Sequence, residues 1–237
     1  MSDPWFSIDL GERVQAIQTH RGVSNDRYGA FNLGLHVGDE VARVQAAREQ
    51  LGDYFGATPV FADQVHGVRV VEVGSCDDVP GEADALVTRA LNVPLGVLTA
   101  DCLPVLFVGH DAVGAAHAGW RGLVSGVLEA TVSALPTTGV IRAWLGPCIG
   151  PNAFEVGPEV VSAFLEWDPA ASRAMRPSSR SGHAYLDLPR LAEARLNDLG
   201  VVCQTAGACT VNEPSRWYSY RREGVTGRMA SCIMRTG

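Results

Sequence analysis

The chain of 237 residues lacks most of the features that name a function at sight. No run reaches the ~18 consecutive apolar residues of a membrane span. Met1–Gln15 carries Asp3, Pro4, Asp9 and Glu12 where a secretory leader has a basic start and an apolar core. Those absences predict a cytoplasmic protein with no membrane partner, and its six cysteines are then expected to be reduced. None of them stands in a Cys-x-x-Cys pair, which disfavours a zinc ribbon or a thioredoxin-type site. Positive net charge is missing as well. A formal charge of −7 argues against nucleic acid as the main partner, though local arginines can still hold a small anion. There is no phosphate loop, and no Gly-x-Gly-x-x-Gly opens a helix. The zinc nucleobase deaminase signature fails too, because Pro151 stands where Pro147-Cys148 should be followed by a second cysteine. No repeat or low-complexity block interrupts the chain.

What is present reads as an ordinary globular domain spanning residues 1–237. Strands are expected over Val14–His20, Val60–Phe61, Val65–Val73, Asp84–Thr88, Pro94–Thr99 and Ile141–Leu145, with late ones at Val201–Cys203 and Met229–Ile233. Val105–Val108 and Val113–Ala116 flank the turn-like Gly109-His110-Asp111, which predicts a hairpin. Helical spacing covers Val41–Phe55, with Arg48 on its inward side. Further helices are expected over Leu123–Leu135, Val156–Phe164 and Leu188–Leu199, the last capped by Asp187. Arg21–Leu35 has no apolar period and reads as a long ordered loop of the kind that carries function. Trp167–Gly182 reads as irregular. This mixture indicates an α/β or α+β domain whose alternation is too irregular for a doubly wound sheet.

The chemistry concentrates in Leu98–Arg121. Cys102 and His117 fall on neighbouring strand ends, and His66 sits in the turn Gln64-Val65-His66-Gly67. Two imidazoles and a thiolate form a three-ligand set that leaves a fourth zinc position open, the catalytic pattern. Water there would have a pKa near ~7. A cysteine nucleophile oriented by Asp101 or Asp84 is a rival reading. Copper is another, since two histidines and a cysteine suit a type 1 site. Only six histidines and no His-x-His pair argue against a true laccase. The plainest alternative is three unrelated core and turn residues. Cys148, bracketed by glycine and proline, reads as a small buried residue. Trp120 reads as core and Arg121 as a surface charge. Tyr220, Arg221 and Arg222 read as a packed aromatic and solvated charges. The glycine-framed helix start after His117 offers backbone N–H groups to an anion.

These segments together resemble one family. RGVSNDRYGAFNLGLHVGD, Arg48, QVHG, ADALVT, LTADCLPVLF, AAHAGWRGL, GPCIGP, FEVG and SYRREGVTGRMA occur in the family's order across nearly the whole chain. The chain resembles the YfiH-type proteins, also called the laccase-domain or multicopper polyphenol oxidase family and more recently purine nucleoside phosphorylases. The resemblance implies an α+β fold: one layered sandwich of mixed β-sheet with flanking helices. It also implies a mononuclear zinc held by His66, Cys102 and His117, with copper as an alternative metal. Cys102 and Arg48 are expected to be catalytic, and Arg48, Asn32 and His36 to contact substrate. Asp101 and Cys148 are expected to support the ligands. Ala47 departs from the asparagine that relatives often carry before this arginine. The implied activities are phosphorolysis of adenosine, inosine, guanosine and methylthioadenosine, together with adenosine deamination. Phenol oxidation is the older label, and editing of peptidoglycan precursors by a cysteine or zinc amidohydrolase is a further one. The implied partners are a nucleoside and phosphate, acting on a monomer or homodimer.

Overall fold

The computed structural model describes residues 3–237. Its strands are β1 (Trp5–Ser7), β2 (Val14–Thr19), β3 (Val70–Glu72), β4 (Ala85–Thr88), β5 (Leu95–Thr99), β6 (Leu103–Val108), β7 (Val113–Ala118), β8 (Arg142–Leu145), β9 (Glu155–Val156), β10 (Met175–Pro177), β11 (Ala184–Leu186), β12 (Val202–Thr205) and β13 (Met229–Arg235). Its helices are α1 (Val41–Phe55), α2 (Trp120–Ser125), α3 (Val127–Ala134), α4 (Pro158–Trp167), α5 (Leu188–Asp198) and α6 (Tyr220–Glu223). One sheet runs β12-β8-β6-β7-β4-β3, a second β1-β2-β13-β5, and a small third β10-β11-β9. The first is mixed: β12 is parallel to β8 and β3 to β4, while β6 and β7 form the expected antiparallel hairpin.

Successive strand residues face opposite ways, so the same strands feed two cores. Leu103, Val105 and Phe107 of β6 join Leu123, Leu128, Phe164 and Leu191 from the helices. Leu106 and Val108 of β6 turn the other way, towards Leu95, Val97 and Ile233 of the second sheet. The far side of that second sheet, including Ile17, Leu98 and Met234, is covered by Leu51 and Phe55 of α1. The layers therefore run helix, sheet, sheet, helices. Every residue of β6 and β7 is buried. Each fully buried Val or Leu contributes about 1.5–3 kcal/mol, so this hairpin is a stiff base for polar groups at its end. Among the described residues no helix is long and apolar enough to cross a membrane.

Several elements differ from the sequence reading. Of Val65–Val73 only Val70–Glu72 is strand, because a carboxylate draws residues 65–67 into a turn described below. Val60 makes only an isolated bridge to Leu95. The helix expected over Leu123–Leu135 begins at Trp120 and breaks at Gly126, whose φ of 97° ends α2 in a left-handed cap. Helix α4 starts at Pro158 rather than Val156, because Glu155 and Val156 pair with β11 and proline suits the first helical position. Trp167–Gly182 is ordered: a 3₁₀ turn, Pro169–Ala174, is capped by the Asp168 side chain and leads into β10. The Asp187 cap of α5 is as expected, accepting from the Arg190 N–H.

Candidate metal centre

Three segments deliver the three candidate donors. Cys102 lies just ahead of β6, His117 lies on β7 opposite Pro104, and His66 projects from the turn before β3. Their ligating atoms all lie within 4.8 Å of one another. Cys102 Sγ is 3.8 Å from His66 Nε2, and the two imidazoles meet edge to face at 4.8 Å. Burial is graded: His117 is buried, Cys102 half-buried and His66 exposed. The donors thus line up from the core to the surface.

Asp84 organises this arrangement. Its carboxylate accepts the backbone N–H groups of Val65 (3.2 Å), His66 (2.9 Å) and Gly67 (2.6 Å). It also bonds His117 Nδ1 at 2.8 Å. His66 has φ 62°, a left-handed conformation that costs a non-glycine residue about 1–2 kcal/mol. Three charge-assisted hydrogen bonds to one carboxylate offset that cost. With Nδ1 committed to Asp84, His117 offers Nε2 to a ligand, the carboxylate–histidine pattern that orients metal-bound imidazoles. Gln64 adds a second tether, pairing with both the N–H (2.7 Å) and C=O (2.8 Å) of Leu98 on β5. Burial opposes ionisation of Asp84, but His117 and the backbone donors outweigh it and hold its pKa below the usual value.

The electrostatics favour a thiolate. Burial disfavours the charged form of Cys102, yet His117 and His66 outweigh it and bring its pKa down to about 6. For His117, burial pulls downward, while Cys102 and Asp84 lift it to about 9. Between those values the metal-free pair is a thiolate and an imidazolium. Iodoacetamide alkylation of Cys102 in metal-free protein should therefore rise with pH, reach half its maximum near pH 6 and level off well below pH 8. A midpoint near the ordinary 9.0 would refute the pairing.

The donor set fits a cation. It combines one soft thiolate with two borderline imidazoles, the composition of three-protein-ligand zinc sites. Gly119 keeps the space between them clear. A Cβ there would lie 2.8 Å from His66 Cδ2 and 3.1 Å from Cys102 Sγ. Gly119→Ala should push His66 aside and weaken metal binding, read with zinc as the probe ion, by about tenfold or more, the scale seen when ligand orientation is disturbed. The unfolding temperature of the metal-free protein should move little. Unchanged zinc affinity, by competition with a chromophoric chelator, would count against the role.

A cavity of about 300 Å³ opens beside the three donors, the lower end of the ligand-pocket range. Trp120, Ile149, Phe154 and Leu188 supply apolar wall, and Tyr220 stands at the rim. His36, expected from the resemblance to contact substrate, lines it. Asp101 also lines it, without touching the donors. Its φ is 100°. Its carboxylate accepts from Thr210 Oγ1 and the Arg221 N–H, both at 2.6 Å, and so anchors the turn that presents Cys102. Cys148 is buried and is not among the cavity-lining residues. Arg48 lines an adjoining cleft that shares His36, Gln64 and Leu98 with the cavity. Its Nε donates to Leu33 O at 2.9 Å and its guanidinium lies 4.8 Å from the Phe61 ring centre. Asn32 is not among the cavity-lining residues. It is buried, and its amide bridges Asp39, Gly34 and the Arg228 N–H, tying the long loop to the start of β13.

Sequence reasoning missed Arg221 and Arg228 as cavity residues. Each spends Nη1 on backbone carbonyls: Ala153 and Glu155 for Arg221, Thr226 and Gly227 for Arg228. Arg222, read as a solvated charge, instead ties down Thr210, Val211 and Trp217 carbonyls. The SYRREGVTGRM segment was the available signal, but nothing local distinguishes its arginines.

A thiol and two imidazoles converging at a cavity in a four-layer α+β sandwich define a candidate mononuclear metal protein. Residues 13–236 match the family model described as multi-copper polyphenol oxidoreductase laccase, and the chain belongs to that family. It is similar to the purine nucleoside phosphorylase of Pseudomonas aeruginosa, with 44% identity over 97% of each chain. It is also 44% identical to the purine nucleoside phosphorylase YfiH of Escherichia coli, over 90% of this chain and 89% of that one. Among solved structures, a Neisseria meningitidis protein superposes with a TM-score of 0.93 at 40% identity, covering 99% of this chain and all of its own. The YfiH protein of Bacillus licheniformis gives 0.88 at 28%, covering 99% and 97%. The YfiH resemblance and the α+β class read from the sequence both hold.

Proposed function

We propose that this protein is a zinc-dependent purine nucleoside phosphorylase acting on small molecules in the cytoplasm. The observation that carries the reading is the convergence of His66, Cys102 and His117 beside a cavity with a cationic side. His36 marks that side. Burial lowers its pKa, and Arg228 and Arg48 lower it further against an opposing pull from Asp63. A phosphate at His36 would have Arg228 beside it in the cavity and Arg48 in the adjoining cleft, and guanidinium is the group best shaped for bidentate phosphate contact. Neutral His36 can take a phosphate proton. A phosphate oxygen then bonds C1′ as the C1′–N9 bond breaks, its electron pair leaving with the purine. Trp120, Phe154 and Tyr220 supply flat surfaces for base and sugar. When bound, zinc supplies a Lewis acid that stabilises charge developing on oxygen or nitrogen. Methylthioadenosine fits the same reading, its apolar end against Ile149 and Leu188. Adenosine deamination would use the same donors.

Zinc-loaded protein with inosine and phosphate should release hypoxanthine and ribose 1-phosphate, and neither without phosphate. No products from a stoichiometrically loaded sample would overturn the reading. Arg228→Met should raise KM for phosphate by about 10–100-fold, the loss of one charge-assisted contact worth roughly 1.5–3 kcal/mol, with a smaller change for inosine. Equal changes for both substrates would place Arg228 elsewhere.

One observation favours a second reading. The Cys102–His117–Asp84 chain is also the arrangement of an activated cysteine nucleophile, which suits an amidohydrolase acting on peptidoglycan precursors. That enzyme would turn over an amide without phosphate and survive removal of zinc.

A further inference from the structure

Behind the cavity wall, Cys148 and Cys209 are set in register by a parallel β-bridge, with the Thr210 N–H donating to Cys148 O at 2.9 Å. Adjacent strands lie about 4.8 Å apart, within the Cα separations of roughly 4.4–6.8 Å that a disulfide spans. Residues in register also project to the same face. Both sulfurs contact one peptide group: Cys148 Sγ lies 3.5 Å from Ile149 O, and Cys209 Sγ accepts the Gly150 N–H at 3.2 Å. Gly150 eases the close approach, since a Cβ would sit 3.0 Å from Cys209 Sγ. Both thiols are free. Access is one-sided. Cys148 is 1% exposed, whereas Cys209 lines a separate cavity of about 390 Å³ with Asp187, Arg190, Glu193 and Thr205. That cavity does not include the metal donors.

We propose that Cys148 and Cys209 are a thiol-modification site that closes to a reversible disulfide with a small charged disulfide such as oxidised glutathione. This inference is independent of the phosphorylase reading. The Cys209 thiolate attacks one sulfur of the reagent, forming a mixed disulfide and expelling one glutathione thiolate. Cys148 then attacks the Cys209 sulfur. The protein S–S bond forms, the second glutathione leaves, and it takes up the proton Cys148 gives up. The protein loses two electrons and two protons, and one reagent disulfide becomes two thiols. Linking the sulfurs frees the Ile149–Gly150 peptide from both contacts. Ile149 lines the cavity beside the metal donors, and its N–H donates to Asp101 O at 2.9 Å, one residue before Cys102. The linked state therefore alters the wall beside the metal centre.

The test is peptide mapping of zinc-loaded protein after oxidised glutathione, without reductant. The expected product is a Cys148–Cys209 cross-linked peptide that dithiothreitol removes. Cys148→Ala should lose the cross-link and stop at glutathionylated Cys209, and Cys209→Ala should lose both species. The Cys148→Ala arm needs only a surface-reachable Cys209, and circular dichroism of each variant checks its fold. Failure of wild-type Cys209 to react, persistence of its mixed disulfide, or linkage through any other cysteine would each overturn the proposal.

Discussion

Cys102→Ala protein is expected to retain no zinc after dialysis, against about one per chain for the parent, and to keep its fold. Removing a direct ligand should cost at least the ~10–100-fold in affinity that is lost with outer hydrogen-bond partners, and nucleoside turnover should fall by at least about 100-fold. The fold should survive because Cys102 is half-buried and lies outside the packed strands. Thermal unfolding gives a direct check. A ligand that binds only the native state raises its stability, so zinc should raise the parent's unfolding temperature and leave the variant's unchanged. Full zinc occupancy in Cys102→Ala would show that the thiol is not a donor. Full occupancy with lost turnover would instead support the cysteine-nucleophile reading.

Asp84→Asn should be the most damaging single-atom exchange. An amide keeps one oxygen, so some of the N–H groups of Val65, His66 and Gly67, or His117 Nδ1, must lose their acceptor. Of these donors His117 Nδ1 is the buried one; leaving it unpaired costs about 1–3 kcal/mol, and the protein should be destabilised by about that much. Zinc affinity should fall by about 10–100-fold, because His66 loses its left-handed turn and His117 its orientation. A pH signature separates this from simple packing damage. The Asp84 pKa is lowered on folding, so its contribution is complete above the ordinary value of 3.8 and is lost as pH falls through the lower folded value. Denaturant titrations should show the parent losing stability on that acid limb and the variant losing less. Parallel acid limbs would remove Asp84 from the electrostatic account.

Much of the site is legible in the sequence. His66 and Cys102 each follow or precede a recognisable turn, and His117 ends an apolar run, so their placement at element ends followed from pattern. Asp101 and Cys148 stand out by their neighbours in sequence, but contact decides role. Asp101 turns away to Thr210 and Arg221, and Asp84 holds His117 from 33 residues away. Helical periodicity puts Arg48 on the inward side of α1 and the family resemblance makes it a site residue, yet only packing shows that it faces the adjoining cleft. Arg228 and Arg221 carry no periodic signal at all.

The order of apolar runs and turn residues by itself determined the central strands, most helices and the residues available as donors, while the short edge strands β1, β9, β10 and β11 emerged only in the fold. That follows because side-chain alternation and glycine-framed turns are local properties. Which donors meet, which carboxylate charges them and which arginines share their cavity were decided only by tertiary structure. Those relations span tens to hundreds of residues and are created when two sheets and their helices exclude water together. No local propensity encodes them.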